Sequence, residues 1–138
     1  MVTGLSHVAI VVPDLAAAVR KLGDLYGLAV GTPMVNEGEG VRLAYAQLGN
    51  AKIELIEPSR PGTAIAKFLE RNPRGGIHHL CLIVDDVAAA EQQFTARGAR
   101  FTGDGTPRLG IDGNRIAFIH PQDFLGALVE IEEHRSVA

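Results

Sequence analysis

The chain contains a single cysteine, Cys81, and no tryptophan among its 138 residues. One cysteine excludes an internal disulfide framework and a zinc site built from several thiolates, and it fits a reducing cytoplasmic environment. Aromatic residues make up only 5% of the sequence, which argues against a base-stacking platform for single-stranded nucleic acid. The sequence therefore predicts a globular protein that is not held together by disulfides.

The sequence also lacks a strong charge of one sign and a long apolar run. Its 13 basic and 16 acidic residues leave a formal net charge of -3, so neither nucleic acid nor an anionic membrane is expected as a partner. The longest near-apolar stretch, residues 8–12, is too short to cross a bilayer, and the N-terminus shows no secretion signal. We therefore expect one soluble, cytoplasmic domain spanning residues 1–138.

Two segments of the chain repeat one another at a constant offset of 72 residues. Residues 5–18 read LSHVAIVVPDLAAA, and residues 77–90 read IHHLCLIVDDVAAA. The alignment places His7 opposite His79, and most other positions pair one apolar residue with another. Each copy begins with a short apolar run typical of a buried strand. The repeat therefore predicts that the chain is built from two similar modules.

A helix is expected to follow each of these strands. Asp14 and Asp86 are suited to cap helices over residues 15–26 and 87–97, and a glycine follows each predicted end. Three extended segments are then expected in each half of the chain. They are residues 28–35, 41–48 and 51–57 in the first half, and residues 99–104, 113–120 and 126–133 in the second.

The order of these elements predicts an α+β fold of two tandem βαβββ modules. The first module covers about residues 4–58, and the second covers about residues 76–133. A connecting segment is expected over about residues 61–71. Its residues 61–63 would open a helix over about residues 64–71, in which Ile65, Phe68 and Leu69 share one apolar face. The two modules and their connector together account for nearly the whole chain.

Each half offers one histidine in its first strand and one glutamate in its last strand. The glutamates are Glu54 and Glu130, each between two apolar residues and 76 positions apart. One such residue alone is usually a core or solvent-facing side chain. The occurrence of an equivalent His–Glu pair in each half favours a common function for the four residues. The pattern alone supports a metal site about as well as a structural role. As a set, His7, Glu54, His79 and Glu130 would suit a divalent metal ion with positions left for substrate.

Taken in order, these segments resemble the vicinal-oxygen-chelate superfamily, which includes glyoxalase I and the extradiol dioxygenases, and within it the methylmalonyl-CoA epimerase family. The segments that carry the resemblance are 5–14, 48–58, 66–69, 75–80, 113–121 and 126–131. The resemblance implies a glyoxalase-like fold, a curved sheet around one divalent metal ion, with cobalt or zinc as the expected metal. The implied metal ligands match His7, Glu54, His79 and Glu130, and the implied assembly is a homodimer.

The activity implied by the resemblance is inversion of the α-carbon of an acyl-CoA thioester, methylmalonyl-CoA, through an enolate. A metal that contacts the thioester and carboxylate oxygens would stabilise the charge of the enolate. Glu130 is the first candidate for an acid/base group. Some relatives carry a second glutamate at about Leu43, which this chain lacks. Glu39, in the preceding glycine-rich loop, is the candidate substitute, although such a loop carboxylate is more often simply solvated.

Three alternative functions remain open from the sequence. An ethylmalonyl-CoA epimerase would act on a substrate that is larger by one methylene group. A glyoxalase-like isomerase or a dioxygenase would keep the fold and change the chemistry, although a dioxygenase usually has three metal ligands. A non-catalytic small-molecule-binding protein of the same fold would need no set of four ligands.

Basic residues that could attract coenzyme A phosphates, or simply keep the surface soluble, are Lys67, Arg71 and Arg74.

Overall fold

The computed structural model describes residues 1–104, 106 and 108–134. The chain divides into two compact units. The first unit is His7–His78, and the second unit consists of Met1–Ser6 together with the chain from His79 onward. Within the described ranges, none of the helices combines the length and the apolar character needed to span a membrane.

The first unit contains one sheet and two helices. Its elements are β1 (Val2–Val11, of which residues 7–11 lie in this unit), α1 (Leu15–Tyr26), β2 (Met34–Asn36), β3 (Val41–Gln47), β4 (Lys52–Pro58) and α2 (Ala64–Arg71). The strand order is β2-β3-β4-β1. Strand β1 runs parallel to β4, whereas β3 is antiparallel to both β2 and β4.

The second unit repeats this arrangement. Its elements are β5 (Gly76–Val84, of which residues 79–84 lie in this unit), α3 (Val87–Ala96), β6 (Arg108–Leu109), β7 (Arg115–Ile119), a short 3-10 helix (Pro121–Asp123) and β8 (Val129–Glu133). The strand order is β5-β8-β7-β6, with β5 parallel to β8 and the other pairs antiparallel. The predicted α+β fold with a repeated βαβββ order is therefore confirmed.

The helices begin and end close to the predicted positions. The Asp14 carboxylate accepts a hydrogen bond from the backbone N–H three residues later at 3.0 Å, and Asp86 accepts the equivalent bond at 2.9 Å. Helix α1 is closed by Gly27, whose φ of 67° is a left-handed conformation that glycine adopts without a steric penalty. Helix α3 ends at Ala96, one residue before the predicted end.

The connecting helix begins and ends at the predicted residues. Helix α2 begins at Ala64, because Pro61 and Gly62 form a turn before it. Thr63 caps the helix, since its hydroxyl accepts a hydrogen bond from the Ala66 backbone N–H at 3.2 Å.

Two of the predicted extended segments are mostly irregular. In residues 28–35, only the last two belong to β2, and Val30 makes a single bridge to β3. In residues 99–104, only Phe101 makes a bridge, to β7, and β6 begins later than predicted. These segments lie at the edge of the sheet, where a strand pairs with only one neighbour. The extent of that pairing, and not the local sequence, determines where the strand begins and ends.

Alternation along the last strand of each unit separates a core face from a polar face. In β4, Leu55 belongs to the core beneath α1, and so Glu54 points to the opposite face. In β8, Ile131 belongs to the core beneath α3, and Glu130 points to the opposite face. Each unit therefore carries its candidate ligand glutamate on the sheet face away from its own βαβ helix.

Candidate metal centre and its surroundings

The first unit brings His7 and Glu54 together across neighbouring parallel strands. The Nε2 atom of His7 lies 3.3 Å from Oε2 of Glu54. Their positions follow from the register of β1 and β4, in which Ala9 is the Cα partner of Glu54. His7 is two residues before Ala9, so both functional side chains emerge on the same face of the sheet.

The second unit brings His79 and Glu130 together in the same way. The Nε2 atom of His79 lies 3.1 Å from Oε2 of Glu130. In the register of β5 and β8, Cys81 is the Cα partner of Glu130, and Cys81 follows His79 by two residues. The similarity between the first strands of the two units therefore also holds for the last strands, in which Glu54 and Glu130 occupy equivalent positions.

The two pairs have the chemistry and spacing of metal ligands. All four residues are buried, with 3–8% of each residue exposed. Burying polar groups costs free energy unless they are paired or bind a metal. Two adjacent ligand atoms at ordinary metal–ligand distances lie about 3.0 Å apart in an octahedral site and about 3.4 Å apart in a tetrahedral one. The 3.1 and 3.3 Å separations fall in that interval. Each His–Glu pair therefore fits two neighbouring positions around a divalent ion.

An aromatic ring packs against each histidine. The rings of Tyr45 and His7 meet edge to face with centroids 6.0 Å apart, and those of Phe118 and His79 do so at 5.9 Å. Tyr45 is the Cα partner of Glu54, as Phe118 is of Glu130. The aromatic side chains thus fix the orientation of the imidazoles in both units. These two aromatic residues were not predicted from the sequence, although their offset of 73 is close to that of the histidines.

A buried polar cluster surrounds Glu132 in the second unit, on the same strand face as Glu130. Its carboxylate accepts hydrogen bonds from Ser6 Oγ at 3.0 Å and from Asn114 Nδ2 at 3.1 Å. Burial alone would raise the pKa of Glu132, but hydrogen bonds from Asp112, Asn114, Ser6 and His134 outweigh it and lower the pKa to about 2. Glu132 is therefore ionised at neutral pH.

Cys81 lies beside this cluster and is not suited to act as a thiolate. Its side chain is fully buried, with Sγ 3.5 Å from Oε2 of Glu132. Burial, followed by the charges of Glu130 and Glu132, raises the pKa of the Cys81 thiol far above its ordinary value. The thiol stays protonated at neutral pH, and its full burial gives Cys81 a packing role.

The candidate Glu39 and two further histidines are not members of the two His–Glu pairs. Glu39 is exposed in the turn between β2 and β3, where its backbone N–H donates to Asn36 Oδ1 at 3.2 Å. The ring of His78 packs against Phe68 with centroids 5.1 Å apart. His120 caps the short 3-10 helix, as its Nδ1 accepts from the Gln122 backbone N–H. His78 and His120 thus each make a structural contact within their own unit.

Two further glutamates, which were not predicted from the sequence, connect the last strand of each unit to its first helix. Oε2 of Glu57 accepts a hydrogen bond from the Leu15 backbone N–H at 2.5 Å, and Oε2 of Glu133 accepts one from Val87 at 3.1 Å. Each follows its ligand glutamate by three residues and therefore faces the helix side. Their common offset of 76 is the signal by which they could have been found.

Comparison with known proteins agrees with this architecture. A family model described as the glyoxalase/bleomycin resistance protein/dioxygenase superfamily matches residues 6–118. The chain is 46% identical over 133 residues to the ethylmalonyl-CoA/methylmalonyl-CoA epimerase of Cereibacter sphaeroides, covering 96% of this chain and 99% of that one. It is 36% identical over 129 residues to the human mitochondrial methylmalonyl-CoA epimerase, covering 94% of this chain and 73% of the human one.

Solved structures of similar proteins share the fold. The crystal structure of methylmalonyl-CoA epimerase from Mycobacterium tuberculosis superposes with a TM-score of 0.88 at 35% identity, covering 98% of this chain and 90% of that one. A methylmalonyl-CoA epimerase in complex with methylmalonyl-CoA and NH4+ superposes with a TM-score of 0.88 at 34% identity, covering 99% and 98%. The chain belongs to the glyoxalase/bleomycin resistance protein/dioxygenase superfamily, with the two βαβββ modules of that fold.

Proposed function

We propose that the protein is a metal-dependent epimerase that inverts the α-carbon of methylmalonyl-CoA through an enolate intermediate. The observation that carries the proposal is the 46% identity to an epimerase of this class, which spans 96% of this chain. The buried His–Glu pair, present once in each unit, supplies the chemistry that such a reaction needs.

We propose that His7, Glu54, His79 and Glu130 hold one divalent metal ion. The support is the donor set, two imidazoles and two carboxylates, together with the His–Glu spacing inside each unit. Imidazole and carboxylate together suit cobalt or zinc, among other divalent ions. Once bound, the metal would supply Lewis acidity, which lowers the cost of negative charge on the substrate oxygens.

Inversion needs one group that removes the α-proton and another that returns a proton to the opposite side of the carbon. Glu130 is the proposed acid/base group of the second unit, because its carboxylate lies in a buried, water-poor setting beside His79. Glu39 remains the candidate that the sequence offers for the other group. Its exposed position between β2 and β3 leaves its side chain in contact with solvent.

Proton exchange at the α-carbon tests the proposed function. Metal-loaded protein is incubated with one epimer of methylmalonyl-CoA in D2O, and inversion and deuterium uptake are followed together. We expect both, and we expect a chelator to abolish both. Glu130→Gln should lower the inversion rate by about 100-fold or more, and Glu70→Gln, at an exposed site on α2, should not. A metal-loaded sample with neither exchange nor inversion would rule out the epimerase assignment.

A second substrate is supported by the name of the Cereibacter sphaeroides relative, which includes ethylmalonyl-CoA. The two substrates differ by one methylene group, and a hydrophobic pocket discriminates between such molecules by only about 1–3 kcal/mol. We therefore propose that ethylmalonyl-CoA is also inverted. The ratio of kcat/KM for the two thioesters, measured side by side, gives the preference directly.

Four broader features are also proposed, namely a single domain, a homodimer, a cytoplasmic location and attraction of coenzyme A phosphates. The resemblance to the epimerase family suggests a single domain over residues 1–138 and a homodimer. The single cysteine, Cys81, is compatible with a reducing cytoplasm. Sedimentation analysis of the purified chain tests the homodimer. Lys67, Arg71 and Arg74 are exposed, and so they are available to attract coenzyme A phosphates.

A further inference from the structure

Lys52 lies next to the His–Glu pair of the first unit. It precedes Glu54 by two residues in β4, so the two side chains leave the same face of the strand. It is also the Cα partner of His7 in the register of β1 and β4. The side chain of Lys52 therefore starts on the polar face of the sheet, between the strand positions that supply the two candidate ligands.

The ammonium group of Lys52 is held over an aromatic ring. Its Nζ lies 4.8 Å from the centroid of Tyr45, whose ring packs against His7. A cation at this distance is attracted by the electron-rich face of the ring. The contact limits the freedom of a long side chain, and it fixes the position of the positive charge near the imidazole.

Lys52 is half-buried, and the structure pairs it with no carboxylate among the residues that it describes. A partly desolvated ammonium without a counter-ion is unfavourable compared with one that is paired. The contact with the Tyr45 ring offsets only part of that cost. An anionic group of a bound ligand would complete the pairing.

The second unit differs at the equivalent position. At the offset of 76 that relates Glu54 to Glu130, Lys52 corresponds to an apolar residue, Leu128. The cation over the ring of Phe118 comes instead from Arg108, at 5.4 Å, on the exposed edge strand β6. Among the described residues, a half-buried cation over the ring is thus found in the first unit and not in the second, and the packing of the repeat does not require it.

We propose that Lys52 binds the free carboxylate of the substrate and thereby makes the site specific for malonyl-type thioesters over simple acyl thioesters. The inference rests on the proposed function, because that function supplies a substrate with a carboxylate on the reacting carbon. Lys52 acts by charge and by hydrogen bonding, while Tyr45 holds its ammonium in place. The pairing both stabilises the bound anion and orients the α-carbon.

Two ligands that differ only in this carboxylate test the inference. Dissociation constants of methylmalonyl-CoA and propionyl-CoA are measured by calorimetry on metal-loaded protein. For Lys52→Met we expect about 10- to 100-fold weaker binding of methylmalonyl-CoA, as for the loss of a charged hydrogen bond. Propionyl-CoA should bind within about twofold of its wild-type affinity, because it makes no contact that depends on the charge.

Two further variants make the test specific. Lys52→Arg keeps the positive charge and should restore most of the preference for methylmalonyl-CoA. Lys21→Met removes an exposed lysine of α1 and should leave both dissociation constants unchanged. Metal content and the far-UV circular dichroism of each variant are measured on the same samples, so that loss of the metal or of the fold is detected separately.

The outcomes separate this inference from the proposed function. Equal weakening of both ligands by Lys52→Met would overturn it, because the lysine would then serve coenzyme A or the fold. Unchanged binding of methylmalonyl-CoA would overturn it as well. If the wild-type protein binds methylmalonyl-CoA but fails to invert it, the epimerase assignment fails, and the selective loss of carboxylate binding still decides the role of Lys52.

Discussion

Glu133, the last residue of β8, reaches the start of α3, where its Oε2 accepts a hydrogen bond from the Val87 backbone N–H at 3.1 Å. The first backbone N–H groups of a helix have no partner inside the helix, and they carry the positive end of its dipole. The Glu133 carboxylate accepts a hydrogen bond from one of these N–H groups, and its negative charge interacts favourably with the positive end of the dipole. It also ties the position of the helix to the strand that carries Glu130.

Replacement of Glu133 should therefore destabilise the second unit. We expect Glu133→Ala to lower the free energy of unfolding by about 1–2 kcal/mol, the usual cost of losing a helix cap that also leaves a buried N–H unpaired. Urea denaturation measures the change, with Gln92→Ala, at an exposed site in the middle of α3, as the control. A Glu133→Ala midpoint equal to that of the control would show that the hydrogen bond contributes nothing.

Metal binding should depend on both units alike. We expect Glu54→Ala and Glu130→Ala each to reduce the bound metal, measured by elemental analysis after dialysis, while Glu70→Gln retains it. Metal should raise the melting temperature of the wild-type protein, since saturation at 100 times the dissociation constant adds about 2.7 kcal/mol of stability. If both alanine variants bound metal as the wild-type protein does, the proposed ligand set would be wrong.

Local sequence signals were sufficient for the helices and for the first strand of each module. Asp14 and Gly27 mark the two ends of α1, because capping and a left-handed closing residue are properties of the local chain. The repeat then gave the equivalent helix α3 to within one residue. The pairing of each histidine with a glutamate was predicted from equivalent places in the two modules, and the structure has both pairs within contact distance.

Features that depend on pairing between distant segments were not predictable in this way. The edge strands β2 and β6 are shorter than, or displaced from, the predicted segments, since each pairs on one side only. The position of the Lys52 ammonium over Tyr45 depends on the register of β3 and β4, which the composition of either strand does not specify. The cluster around Glu132 joins segments as far apart as Ser6 and Asn114.

The stability of the protein should fall at low pH through the contact between Asp123 and Arg100. The Arg100 backbone N–H and Nε each donate to Asp123 Oδ2 at 2.9 Å. These hydrogen bonds, with the arginine charge, lower the pKa of Asp123 below its ordinary 3.8. The folded state therefore favours the carboxylate, and its contribution to stability is present above that ordinary pKa and lost as the pH falls through the lowered one.

Asp123→Asn checks this dependence. The variant should be less stable than the wild-type protein near neutral pH, and the difference should shrink as the pH falls below about 4. Chemical denaturation at a series of pH values gives both curves. A difference that stayed constant down to the lowest pH at which the protein remains folded would exclude a role for ionised Asp123.

Glu132 should be among the most costly side chains to remove from the second unit. The residue is 4% exposed, and its carboxylate accepts hydrogen bonds from Ser6 and Asn114. An alanine at this position leaves those buried donors unpaired, and we expect Glu132→Ala to lower the free energy of unfolding by about 2–4 kcal/mol. Glu132→Gln keeps one acceptor oxygen and should cost less. Urea denaturation of the two variants beside Glu70→Ala, at an exposed site, measures the difference. Equal losses for the alanine and glutamine variants would contradict this expectation, because they would assign the whole contribution to the ionised carboxylate and none to the packing volume and acceptor oxygen that glutamine retains.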